Sequence, residues 1–191
     1  MAGRTQGALY AEIDLELSWS EEALPQAERT QHVHALHPYL GKFVPQLVEA
    51  FLRRSFRPGD RVYDPFCGSG TTLVEANVFG ANAVGCDISA FNALLCRVKT
   101  GDHALASVEL VLRGALEAAR HIEVEEVEAG EWARAWYAPR ALSELLAYRS
   151  AVGELAQPVR DVGWIVLSRA ARSARLTTHF DLDFPRAPVT Q

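Results

Sequence analysis

The sequence predicts an α/β fold, a partial doubly wound parallel sheet with a mostly helical C-terminal extension, and three observations carry that reading. Two short apolar runs, Arg61–Phe66 and Asn82–Asp87, flank a glycine-containing turn and a helical stretch, which is the order of a parallel crossover. Beyond Gly101 the apolar residues recur at helical rather than alternating spacing. With 191 residues, 49% of them hydrophobic, the chain can bury one sizeable core but is short for two full domains.

Taken in order, residues 12–19 alternate, with Ile13, Leu15, Leu17 and Trp19 on one face and Glu12, Asp14, Glu16 and Ser18 on the other, the period of a half-buried strand. The polar stretch Ser20–Gln31, with Pro25, reads as a loop, so residues 1–31 form an N-terminal strand and loop. Leu47, Val48, Phe51 and Leu52 recur at helical spacing, and Arg57-Pro-Gly-Asp60 is a turn that stops the helix. Arg61–Phe66 is then a strand, Cys67–Gly70 a turn, and Thr71–Phe79 a helix closed by Gly80. Asn82–Asp87 is the second strand, and Ser89 or Asn92 caps a helix running to about Lys99. Residues 32–100 thus make a βαβ ligand-binding region, and residues 101–175 a helical one, with helices at 104–122, 139–155 and 161–175. Val162–Leu167 is apolar enough to read as a buried strand instead, and residues 176–191, with Pro185 and Pro188, as a tail or linker.

Composition narrows the function. No run approaches the ~20 apolar residues that span a bilayer, and the first residues lack the apolar core of a secretory signal, so the reading is a cytosolic protein. Cys67, Cys86 and Cys96 have no C-x-x-C spacing and read as free thiols. A net charge of -5 argues against a surface that grips nucleic acid throughout, because neutralising phosphates needs clustered Lys and Arg. Local basic groups remain at Arg53, Arg54, Arg57 and Arg61 and, at helical spacing, at Arg169, Arg172 and Arg175; the acidic run from Glu123 to Glu131 opposes them, and the plain reading of all three is a solvated face. His32, His34 and His37 read as packing and hydrogen-bonding groups rather than metal ligands, and Trp132, Trp136 and Tyr137 as core of the helical region rather than a base-stacking platform.

The informative segment is Asp64-Pro-Phe-Cys-Gly-Ser-Gly-Thr-Thr72, between strand and helix. Glycines at 68 and 70 let backbone approach a ligand, and the N–H groups of the helix opening at Thr71 favour a negative group. Leu73 stands where a dinucleotide fingerprint has its third glycine, and no Gly-Lys-Ser/Thr follows, so pyrophosphate ligands are disfavoured. Asp87 follows Asp64 by twenty-three residues, close to the ~20-residue offset at which an acid at a strand end reaches ribose hydroxyls. Asp64, beside the turn, is placed to hold an ammonium. A ligand with an amine, a carboxylate and a ribose is S-adenosylmethionine. The competing reading has Asp64 closing the turn and Asp87 capping the next helix.

At these residues the sequence resembles the DNA amino-methyltransferases of restriction-modification type, which act on adenine N6 or cytosine N4. Asp64–Thr72 resembles their cofactor motif, His37-Pro-Tyr-Leu-Gly-Lys-Phe-Val-Pro-Gln-Leu47 the companion motif upstream, and Ala83-Val-Gly-Cys-Asp-Ile-Ser89 the motif whose acid binds ribose. The resemblance covers residues 32–100 and implies a Rossmann-like class I methyltransferase sheet, here incomplete. It implies that Asp64, Thr71 and Thr72 hold the methionine end, and that Pro65, Phe66, Gly68, Ser69 and Gly70 shape the pocket floor. It places Lys42 and Phe43 on the far wall, Asp87 and Ile88 at the adenosine, and DNA as substrate. Family members bind the target amine with Asp, Asn or Ser, then Pro-Pro, then an aromatic residue, and this sequence contains no Pro-Pro. The expectation is therefore a cofactor-binding part without catalytic residues, its tetrapeptide supplied by later sequence or by a second polypeptide. An RNA guanine-N2 methyltransferase fragment and a non-catalytic cofactor-binding subunit are the alternatives.

Overall fold

A parallel crossover at residues 61–85 is the centre of the N-terminal unit, and it forms where the sequence alternates two short strands with a helix. The computed structural model describes residues 22, 24–25, 32–39, 41–124 and 129–176. The strand expected at 12–19, most of the loop before Gln31, Glu125, Glu126 and Glu128 of the acidic run, and the tail from 177 lie outside the described residues. The chain divides into two compact units, one through Lys99 and one from Thr100.

In the first unit a 3-10 turn at His32–Ala35 leads to helix α1, Pro45–Ser55. Proline opens α1 where its missing N–H costs nothing, and Pro45, Val48 and Leu52 bury one stripe. Phe51, expected on that stripe, is 50% exposed, because the buried stripe is narrower than the apolar pattern. The Arg57–Asp60 turn closes through the Asp60 carboxylate, which accepts from the Arg57 N–H at 2.8 Å. Strand β1, Arg61–Asp64, pairs in parallel with β2, Asn82–Gly85, with Val62 opposite Ala83 and Asp64 opposite Gly85. Both strands stop two residues short of the expected ends, as their chains turn toward the candidate site.

Helix α2, Thr71–Phe79, makes the crossover. It ends on Gly80 at φ 88°, with the Ala81 N–H reaching back to the Ala76 carbonyl at 2.8 Å, a left-handed closure that only glycine adopts without strain. Val48, Leu52, Val62, Ala76 and Ala81 form the core between α1, α2 and the sheet. A second apolar group, Cys67, Leu73 and Cys96, joins the turn to helix α3, Ala90–Thr100. Gly85 is tied to this group: a Cβ there would stand 2.8 Å from both Cys67 Cβ and Leu73 Cδ1.

The second unit is helical: α4 Leu105–Ala119, α5 Glu131–Trp136, α6 Pro139–Gly153 and α7 Val159–Ser173. Ala115 and Ala119 of α4 meet Ala147 and Ala151 of α6, small side chains that let the helices approach closely. Gly163 lets α7 in, since a Cβ there would lie 2.8 Å from Val152 Cγ1 and 3.2 Å from Leu112 Cδ2. Val162–Leu167, readable as a strand, is helix, because it continues one fifteen-residue element whose neighbours are helices offering no ladder to pair with. Trp136 is buried at 8% exposure, but Trp132, expected in the core, is 63% exposed. Arg175, expected on the helix face of Arg169 and Arg172, lies past the end of α7; it bridges to Tyr137 and sets its guanidinium 5.7 Å from the Trp136 ring centre. Ile165, 1% exposed, anchors α7, and its replacement by alanine is expected to destabilise this unit by about 2–5 kcal/mol, read as a lowered urea midpoint.

Candidate functional site

Parallel pairing brings the two strand ends side by side, so the segments after Asp64 and after Gly85 leave the sheet together. The Cys67 N–H donates to the Cys86 carbonyl at 3.0 Å, and the Cys86 N–H to that of Asp64 at 3.0 Å, extending the ladder into the turn. Asp64–Thr72 and Asp87–Ile88 are thereby gathered at one edge of the sheet.

Asp87 is the most constrained acid there. One carboxylate oxygen accepts from the Ser89 N–H at 2.8 Å and the Asn92 amide at 3.0 Å, and the other from the Gly68 N–H at 2.9 Å. The Ser89 N–H, then the Asn92 amide, hold its pKa below the ordinary aspartate value. Asn92 also donates to the Tyr39 hydroxyl at 3.2 Å, so a residue 53 positions upstream is tied to the same acid. Asp64 accepts from the Phe66 N–H at 3.0 Å and closes the turn by that bond. Both acids thus do the local work of the plainer reading, and each keeps lone pairs for a further donor, since a carboxylate accepts about four hydrogen bonds.

The glycines also have a cause within the protein. Gly70, at φ 81°, is required by the protein itself, because a Cβ there would stand 2.8 Å from Cys96 Sγ. Gly68, at φ 48°, faces the Tyr39 hydroxyl, 3.2 Å from where its Cβ would be. Tyr39 and α3 thus occupy the space that a side chain would need at these two positions.

Between these glycines the turn carries unmet polar capacity. Ser69 and Thr71 are 2% and 3% exposed, and among the described residues neither Ser69 Oγ nor Thr71 Oγ1 has a hydrogen-bond partner. Buried hydroxyls without partners are costly, and here they stand at the N-terminus of α2, where the first N–H groups also lack intrahelical acceptors. Thr72 is half-buried and Pro65 exposed. Phe66 and Ile88 are almost wholly exposed, at 86% and 105%, although both are large and apolar.

The upstream segment docks on the turn's helix. His34, fully buried, places Nε2 2.6 Å from Glu75 Oε1 of α2. Lys42 Nζ donates to the His34 carbonyl at 3.1 Å, and burial lowers its pKa. Phe43 is 59% exposed, and among the described residues no ring contact ties it to the turn. His34, Tyr39, Glu75, Asn92 and Lys99, whose ammonium donates to the Ser69 carbonyl at 2.8 Å, were missed as site residues. Lys99 was the most legible of them: it stands at i+4 from Leu95 on the buried face of α3, where a lysine is out of place.

Among the described residues no helix is long and apolar enough to cross a membrane, and no group of three His, Cys, Asp or Glu is placed to hold a metal.

Comparison with known proteins gives these residues a context. Residues 10–94 match the N6/N4 DNA methylase family model. Type II methyltransferase M.MjaII of Methanocaldococcus jannaschii is 31% identical over 248 residues, covering 93% of this chain and 47% of that protein. Type II methyltransferase M.MvaI of Kocuria varians is 37% identical over 70 residues, 35% of this chain and 15% of that one. A tRNA (guanine(10)-N2)-dimethyltransferase of Methanocaldococcus jannaschii is 45% identical over 53 residues, 27% of this chain and 14% of that one. The chain spans about half the length of the first relative and less of the others. No solved structure matches. Through the glycine turn and both strands the chain is similar to the DNA methylase family, and over 93% of its length to a type II methyltransferase.

Proposed function

We propose that residues 32–100 bind S-adenosylmethionine as the cofactor half of a Rossmann-like DNA methyltransferase that modifies an exocyclic amine of adenine or cytosine in the cytoplasm. The observation that carries this is the turn itself: two buried, unpartnered hydroxyls, Ser69 Oγ and Thr71 Oγ1, lie at a helix N-terminus between the carboxylates of Asp64 and Asp87. That donor and acceptor set fits the cofactor's amino-acid end at the turn and its ribose at Asp87. The exposed apolar side chains of Phe66 and Ile88, just after the two strand ends, suit contact with a flat adenine. Lys42 and Phe43 close the far side, and Gly68, Gly70, Thr72 and Pro65 set the shape of the turn. When bound, the cofactor supplies an electrophilic methyl group; the residues described here hold and orient it.

The acceptor side of the reaction comes from outside these 191 residues, from later sequence or from a second polypeptide. No Pro-Pro-aromatic run occurs in the sequence, and the described sheet has two strands where a doubly wound one needs two halves. The alignment with M.MjaII runs over 248 residues, longer than this chain, so that relative carries stretches with no counterpart here. The likeness to the tRNA methyltransferase favours an RNA substrate, but it covers 27% of the chain against 93% for M.MjaII. DNA is the better reading.

Calorimetry with S-adenosylmethionine, followed by methylation of plasmid DNA, tests both halves of the proposal. The 191-residue chain is expected to bind the cofactor and leave DNA unmodified until a polypeptide carrying a Pro-Pro-aromatic segment is added. Absence of binding overturns the cofactor assignment; methylation by the chain alone overturns the incomplete site.

A further inference from the structure

Three sources of positive potential converge on the Ser69 carbonyl with no counter-ion among the described residues. The first is the N-terminus of α2, nine residues long, whose unpaired N–H groups carry the positive end of the helix dipole. The second is Lys99, 7% exposed, its Nζ 2.8 Å from the Ser69 carbonyl oxygen. The third is Lys42, close enough to press on Lys99 electrostatically. An ammonium has three donors, and the Ser69 carbonyl takes one. Two cations and a helix N-terminus are not packed together at a net gain unless an anion joins them, because each raises the cost of keeping the others charged. The unpartnered Ser69 Oγ and Thr71 Oγ1 stand at that same point.

We propose that Lys99 is the counter-charge for the carboxylate of the bound ligand, seated on Ser69 Oγ, Thr71 Oγ1 and the first N–H groups of α2. This rests on the S-adenosylmethionine reading and adds a residue to it that lies twelve positions beyond Asp87, on a different element. Lys99 is then a specificity residue: it makes the site favour a nucleoside with an amino-acid tail over one without. Burial first, and Lys42 second, lower the Lys99 pKa to about 8, with the Cys96 thiol acting weakly the other way. A bound carboxylate pushes it back up, so binding takes up a proton when the pH is near or above 8, and affinity falls as pH rises through that value.

The test compares S-adenosylmethionine with its decarboxylated form on the full chain, by calorimetry in buffers of different ionisation enthalpy. Lys99→Met is expected to weaken S-adenosylmethionine at least about tenfold while changing the decarboxylated ligand by less than about twofold. The second ligand also reports whether the variant is folded. Lys99→Arg, charged at every pH used, is expected to keep the preference for the carboxylate and to lose the lysine's share of proton uptake. Equal weakening of both ligands by Lys99→Met, or proton uptake by the native chain that Lys99→Arg leaves unchanged, overturns the role of Lys99 and leaves the cofactor reading standing. No heat with either ligand on the native chain overturns that reading and this inference together.

Discussion

Asp87→Ala is expected to abolish measurable S-adenosylmethionine binding while the helical unit beyond Thr100 stays folded. The carboxylate ties the second strand exit, the glycine turn and α3 together, through Ser89, Gly68 and Asn92. Removing it frees the Gly68 N–H and the Asn92 amide at once and deletes the acceptor proposed for the ribose. Charged acceptors make hydrogen bonds roughly twice as strong as neutral ones, so Asp87→Asn is expected to restore only part of the affinity. Asp87 titrates below the ordinary aspartate range, so its contribution is complete above about pH 4 and is lost as the pH falls through its lower folded value. Binding that stays constant from neutral pH down to that range and then drops, with circular dichroism unchanged, is the outcome that matches this geometry. Retained affinity in Asp87→Ala would remove the acid from the site.

Gly70→Ala is expected to be the most damaging single substitution for stability in the first unit. Two costs coincide. The residue sits at φ 81°, where an L side chain pays about 1–2 kcal/mol, and the new Cβ would meet Cys96 Sγ at 2.8 Å. Cys96 is buried, so its sulfur has little room to move away; overpacking of this kind costs about 1–3 kcal/mol. A loss of about 2–5 kcal/mol in total is expected, seen as a lowered denaturant midpoint. Adding Cys96→Ala is expected to recover the packing part and not the backbone part. Full recovery in the double variant would mean that the left-handed conformation carries no cost here. Burial, with Cys67 nearby, pushes the Cys96 thiol up to about 12, so at neutral pH its loss removes a neutral, packed group and not a charge.

The elements of the first unit were legible because each has a local cause. Proline opens α1 and glycine closes α2 at positions that follow from the backbone alone, and the two strands are bounded by a turn tetrapeptide and a glycine loop. The helical reading of the second unit was legible for the same reason, except at Val162–Leu167, where apolarity alone does not separate a strand from a buried helix segment. Trp132 shows the limit of composition: an aromatic residue on a short helix is read as core by default, and only the packing of α5 leaves it outside.

The chemistry of the turn was legible by type and not by partner. Two acids, two glycines and three hydroxyl residues around one strand-to-helix junction define what kind of ligand the junction suits, and that follows from residue identity and order. Which groups they answer to inside the protein depends on contacts 30, 41 and 53 residues apart in sequence: Lys99 with Ser69, His34 with Glu75, and Asn92 with Tyr39. Periodicity and local spacing carry no information at that range. The sequence by itself therefore determined the family resemblance, the crossover and the composition of the candidate site. Only the tertiary structure decided that Gly70 yields to α3, that Asp87 is pinned on both oxygens, and that a lysine with no counter-ion among the described residues lies beneath the turn, because each arises where folding brings distant segments within a few ångströms of one another.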